Sequence, residues 1–317
     1  MLLAARHAAG QVDSPVACPP TSELARRLLD VPAEQRLFDG RLRIVNVFRE
    51  QATALLDSTA GDSLVVAHWS TTVFRAHEAF WRAYVGDSAA VAAMATRLLP
   101  YRATILCDRL PRLLAVGLQA RFERHARWLV RETSLAPVGT WYLVHGHGAT
   151  DMGGLGAVGM VIDFSNQVAD SAALERLLTH ELAHQVHALR TDPLGETVLG
   201  RIVAEGLATY IACVHAAGAR TAADCIGYSD AEWAWARRHE GRLRRVVRPM
   251  LHSRARAALD SVASRSVHPL AGGPSAVGYF LGYRLMQSYT RRHGARSWTH
   301  VLRMPVAEVL ARSGDAF

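Results

Sequence analysis

Five consecutive residues, His180-Glu181-Leu182-Ala183-His184, spell HExxH. On an α-helix, residues four apart share a face about one turn from each other, so both imidazoles can turn toward one small cation with Glu181 beside it. A divalent ion held in this way acidifies water, and the adjacent carboxylate can take the released proton. The chemistry implied is hydrolysis, with a peptide bond as the natural target. With 15 His in 317 residues, chance alone would write the pentad roughly 0.03 times per chain. Its surroundings must supply the remaining argument.

The run SAALERLLTHELAHQVHALR repeats Leu174, Leu177, Leu178, Leu182 and Val186 at helical spacing, with Asp170 or Ser171 to cap its start and Arg190 to close it before Asp192-Pro193. A catalytic zinc site uses three protein ligands and keeps a place for solvent, so a third donor is required on a neighbouring element. Glu205 is the candidate. It follows His184 by 21 positions, in RIVAEGLATYIACVHAAG, whose apolar pattern predicts a second helix beyond the Pro- and Gly-containing TDPLGETVLG. His187 is the rival, seven positions after His180. Seven residues of straight helix span about 10 Å, too far for one ion, and no Gly follows His184 to break the helix. His187 is therefore expected to pack, or to stand behind the ligands.

With these residues placed, the chain resembles the gluzincin metallopeptidases, and among them the bacterial predicted zinc-dependent proteases, whose HExxH helix is followed by one carrying EGLA. Here that segment is Glu205-Gly206-Leu207-Ala208, and Gly278-Tyr279-Phe280-Leu281-Gly282-Tyr283 is similar to their GYxxGY helix. The matching pieces cover about residues 171 to 215 and 276 to 290. The resemblance implies a zincin-like core with one Zn²⁺ per chain on His180, His184 and Glu205, Glu181 as general base, and a peptide or protein substrate. It also points to the C-terminal helix for an oxyanion donor: Tyr279 is favoured, with Tyr283 and the loop residue His268 as alternatives. One position departs from the thermolysin-like pattern. Thr209 stands where an aspartate would orient a histidine, which leaves that orienting partner unassigned.

Upstream, TWYLVHGHGATDMGGLGAVGMVIDFSN holds two apolar, β-rich runs around a glycine-rich connection. Gly154, Gly156 and Gly159 match GxGxxG, but a phosphate cradle needs a helix directly after it, and MVIDF reads as a strand. A hairpin is predicted instead, with residues 159–164 as an edge strand able to pair with extended substrate. His145 and His147 lack further donors for a second metal and are expected to be ordinary loop residues. Asp163 sits at the wrong offset to replace the glutamate with which aminopeptidases hold a free amine. An endo- or oligopeptidase is expected.

The elements that must position this chemistry are mainly helical. Apolar residues recur at helical spacing in TSELARRLLD, RIVNVFREQATALLDS, STTVFRAHEAFWRAYV, AAVAAMATRLL and LPRLLAVGLQARFERHARWLV. The expected organisation is a leader at 1–20, a helical subdomain at 21–135, with Phe74, Phe80, Trp81 and Tyr84 in its core, and a catalytic domain at 136–317. The fold class is α+β, mainly helical, with a small antiparallel sheet or hairpin. Ser229 and Glu232 form a capping-box signature at the head of an arginine-rich stretch.

All 36 basic residues are Arg, and the net charge is +8, which gives a mild preference for acidic partners. No run of 18 apolar residues is present to span a bilayer. Cys18, Cys107, Cys213 and Cys225 are scattered without C-x-x-C spacing, so reduced thiols are expected. The opening MLLAARHAAG is a poor secretory signal because Arg6 and His7 cut its apolar stretch short. A cytoplasmic location is expected. Two other classes compete: a non-catalytic helical binding module, against which Glu181 beside the metal residues argues, and a nucleic-acid-associated regulator with a metallopeptidase-like domain. A nucleic-acid partner is not expected, and oligomeric state is not legible.

Overall fold

A computed structural model describes residues 18–57, 61–146, 152–164, 171–187, 192–315 and 317. The leader through residue 17, His147, Asp170, Arg190 and the side chain of Ser171 lie outside the described residues. Among those described the protein is mostly helical with one five-stranded sheet, so it is α+β. The strands are β1 (Glu34–Leu37), β2 (Leu42–Val45), β3 (Gly139–Val144), β4 (Met152–Gly154) and β5 (Met160–Asp163), in the order β1-β2-β3-β5-β4. The chain groups into two compact units, each drawn from several segments: Met1–Gln35, Ile44–Leu118 and Trp141–Ala169 in one, and Arg36–Arg43, Gln119–Thr140 and Asp170–Phe317 in the other.

In the first unit Val45, Val47, Trp69, Phe80, Trp81, Met94, Ile105, Val144 and Val161 share one buried core. Phe80 stacks on Tyr142 with ring centroids 4.4 Å apart and on Tyr84 at 5.6 Å, so these aromatics serve packing, as expected. RIVNVFREQ does not begin as helix. Leu42-Arg43-Ile44-Val45 forms β2, where branched side chains suit the pleat, and the helix Val47–Leu56 starts only after Asn46, whose amide donates to the Pro32 carbonyl at 2.6 Å.

The sheet corrects two expectations. It is mixed, not antiparallel: β5 pairs parallel with β3, from Trp141↔Met160 to Val144↔Asp163, and antiparallel with β4. The hairpin is β4–β5, closed by Leu155 N–H donating to Gly159 O at 2.7 Å. A parallel pair needs a long crossover, and β4 and the short turn Gly156–Val158 lie within the connection from β3 to β5. Because β5 has hydrogen-bonded neighbours on both sides, residues 159–164 are not a free edge for substrate; the outer strand is β4. Fully buried Asp163 accepts from Gly146 N–H at 2.8 Å and from the Tyr84 hydroxyl at 2.5 Å, a structural tie for the segment after β3. His145 is buried there too, not exposed, and burial pushes its imidazole down to about 4.

Three helices of the second unit matter most: the histidine helix Ser171–Val186, the glutamate helix Val198–His215 and the tyrosine helix Val277–His293. The glutamate helix starts at Thr197, whose hydroxyl accepts from Gly200 N–H at 3.2 Å. Its apolar pattern reflects depth: it is long and apolar enough to cross a membrane, yet 72% of it is buried in the fold. The capping box of Ser229 and Glu232 forms as expected.

Glycine sets the closest approach of two of these helices. A Cβ on Gly206 would lie 2.1 Å from the backbone carbon of Gly282, and one on Gly282 would lie 2.0 Å from the Ile202 carbonyl oxygen. The glycines of EGLA and of the second GY are thus where the two backbones touch. Gly282→Ala is expected to destabilise the protein by about 3 kcal/mol, the upper range of over-packing, because backbone and not a flexible side chain is in the way. Gly241→Ala, with nothing within 4 Å of the added carbon, should be neutral or slightly stabilising. Urea midpoints compare them, and equal values would show that the crossing has room to spare.

All four cysteines are paired, as Cys18–Cys107 and Cys213–Cys225. The expectation of reduced thiols is overturned. The first pair is separated by 89 residues, so only the tertiary fold brings it together; the second, 12 residues apart, ties the end of the glutamate helix to the short helix Ala222–Ile226.

Candidate metal centre

The histidine helix is anchored on one face and presents His180 and His184 on another. From the helix Leu118–Thr133, fully buried His125 reaches it with both ring nitrogens, one to the Thr179 hydroxyl at 2.6 Å and one to the Glu175 carboxylate. Arg121 and Arg124 complete the Glu175 contacts at 2.5 and 3.2 Å. Burial pushes His125 down, although Glu175 pulls it the other way. Leu174, Leu178 and Leu182 are buried as well. With this face fixed, His180 and His184 point together from another.

Their Nε2 atoms lie 3.1 Å apart, and Glu205 Oε2 from the next helix lies 3.0 Å from the first and 3.4 Å from the second. Donors about 2.0–2.1 Å from a tetrahedral centre stand roughly 3.3 Å apart. The triangle has that size. Two imidazole nitrogens and one carboxylate oxygen, turned to a common point with His180 and Glu205 buried and His184 half-buried, are a donor set suited to one zinc ion. His180 and Glu205 are 6% and 3% exposed.

The charges of the cluster act on one another. Burial works to raise the Glu205 carboxyl, but the charge of His184 and hydrogen bonds from both histidines hold it well below the usual range. His184 is raised in turn: burial opposes its charging, and Glu205 outweighs burial. Burial lifts Glu181 above the ordinary carboxylate range, with His180 and His184 pulling back and Glu205 adding to the lift. Burial also lifts Tyr279 well above 10, reinforced by the charges of Glu205 and Glu181.

The other sequence candidates separate clearly. The Tyr279 ring lies nearly parallel to the His180 ring, 14° apart with centroids at 5.7 Å. Tyr283 stands elsewhere, against Tyr210 and Trp233, with its hydroxyl 3.7 Å from Cys213 Sγ. His268 is exposed and bonds to the Gly273 carbonyl at 2.9 Å. His187 is outside the triangle, buried, and pushed down to about 3 by that burial. Thr209 is fully buried with its hydroxyl oxygen unbonded, so it orients neither histidine.

Two residues escaped the sequence reading. Arg201 Nε meets Glu205 Oε1 at 3.1 Å, bracing the oxygen that does not face the histidines; its position four before Glu205 was the available signal. Arg265 lies over the Tyr279 ring, 5.1 Å from its centre, and donates to the carbonyls of Ile226 and Gly227 at 2.6 and 3.4 Å. No sequence spacing announces it.

A mainly helical α+β protein with two histidines one turn apart and a carboxylate from the following helix has the makings of a single-ion metal centre. The family model described as Predicted Zn-dependent protease (DUF2268) matches residues 143–311, just over half of the chain, and the chain belongs to this family. No curated protein and no solved structure matches it.

Proposed function

We propose that the protein is a gluzincin-type zinc peptidase in which His180, His184 and Glu205 would hold one Zn²⁺ and Glu181 is the general base. The observation that carries this reading is the triangle of donor atoms, all within 4.8 Å of one another, on an HExxH helix of a chain from a zinc-protease family. Zinc, when bound, acts as a Lewis acid toward water and toward a carbonyl oxygen.

The remaining work falls to side chains. Glu181, with its carboxyl raised by burial, takes the proton from water and delivers it to the departing amine nitrogen. Tyr279 keeps its phenolic proton throughout the working pH range, since burial holds it far above neutrality. Its hydroxyl is thereby a constant donor for the carbonyl oxygen as that atom gains charge. Arg201 braces Glu205, and His125 holds the helix through Thr179. The substrate is a peptide or protein, cut in the manner of an endo- or oligopeptidase. Two disulfides favour an oxidising compartment over the cytoplasm.

Chelation should abolish hydrolysis of a quenched fluorescent peptide, and stoichiometric zinc should restore it. Tyr279→Phe is expected to lower kcat by about 10²–10³-fold with zinc content unchanged. An unaltered rate would remove Tyr279 from the reaction; activity indifferent to chelation would remove the metal.

A further inference from the structure

The charged groups that act on the Tyr279 hydroxyl are Glu205, Glu181, Arg201 and Arg265. The two arginines are not equivalent. Both terminal nitrogens of Arg265 are taken up by the Ile226 and Gly227 carbonyls, while its plane covers the Tyr279 ring. Arg201 comes closest to Glu205 through Nε, at 3.1 Å, and 52% of its side chain is exposed, with no ion-pair or hydrogen-bond partner other than Glu205 among the described residues.

A guanidinium placed beside one carboxylate, with about half of its surface open, offers parallel donors in the geometry that matches a second carboxylate. We propose that the open edge of Arg201 binds a carboxylate of the substrate, so that the enzyme selects peptides with an acidic group next to the scissile bond. The group is either an Asp or Glu side chain or the terminal carboxylate of the peptide. This rests on the peptidase reading and adds a substrate class to it.

The test uses Glu181→Gln protein, whose slowed turnover lets binding be read, in zinc-loaded and zinc-free forms. Calorimetry compares three peptides of one sequence: Glu with an amidated end, Gln with a free acid end, and Gln with an amidated end. At least one acidic peptide should bind about 10- to 100-fold more tightly than the neutral one, in both metal states, and the arm that does so identifies the source of the carboxylate. Adding Arg201→Gln should bring the ratio to about one. Arg201→Lys, which keeps charge beside Glu205 without the fork, should retain only a few-fold preference. Equal affinities for all three peptides, or a preference that survives Arg201→Gln in protein with normal circular dichroism, would overturn the proposal. Failure of zinc-loaded wild-type protein to cut any of the three would count against the peptidase reading instead, and the affinity ratio would still decide the role of Arg201.

Discussion

Glu181→Gln is expected to keep about one zinc per chain and to lower kcat for peptide hydrolysis by about 10²–10⁴-fold, the usual contribution of a positioned general base. The amide has the size of the carboxyl it replaces, and the three donor residues His180, His184 and Glu205 converge without it. What is lost is a basic oxygen. Burial lifts the Glu181 carboxyl above the ordinary range, which brings it nearer the working pH and makes it a better match for proton transfer than a solvated carboxylate. Since the proton moves only as the reaction proceeds, kcat and kcat/KM should fall together and KM should change little. Atomic absorption and initial rates on the same preparation check this. Retained turnover at full zinc content would transfer the proton-accepting role to another group.

Glu205→Ala should act on the metal before the chemistry. Its Oε2 is the only carboxylate oxygen in the triangle and lies within 3.4 Å of both imidazole nitrogens, so the variant keeps two neutral donors and loses the negative charge. Zinc affinity is expected to fall by more than about 100-fold, beyond the 10- to 100-fold that loss of an outer partner costs. Competition with a chromophoric chelator measures it. Glu205→Gln, which preserves shape and one oxygen, should fall between the two. Wild-type affinity in Glu205→Ala would mean that a different donor completes the site.

The reach of the sequence differs from place to place. Local periodicity located the histidine and glutamate helices and the Ser229–Glu232 cap, because helix faces and caps are set by residues within a turn or two. The glutamate across the loop was legible because two helices joined by a short connection must return on each other. Partners distant in sequence were not: the touching of Gly206 and Gly282, the reach of His125 to Thr179, and the placing of Arg265 over Tyr279 all depend on tertiary packing. The same holds for Cys18 and Cys107, whose Cα atoms are 4.4 Å apart across 89 residues. Strand pairing was read as a simple hairpin of the two apolar runs because alternation does not distinguish parallel from antiparallel neighbours. In fact β4, a three-residue strand of Met and two Gly, carries too little pattern to be seen. The start of RIVNVFREQ misled for a related reason, since Arg43, Ile44 and Val45 before Asn46 satisfy either a helix face or a short strand.

The convergence of His180, His184 and Glu205 on one ion is tested most directly by anomalous X-ray scattering from zinc-soaked crystals, with data on both sides of the zinc edge. A single strong peak about 2.0–2.2 Å from His180 Nε2, His184 Nε2 and a Glu205 oxygen is expected. A peak bound to other residues, or none in crystals of protein that still hydrolyses peptides, would contradict it.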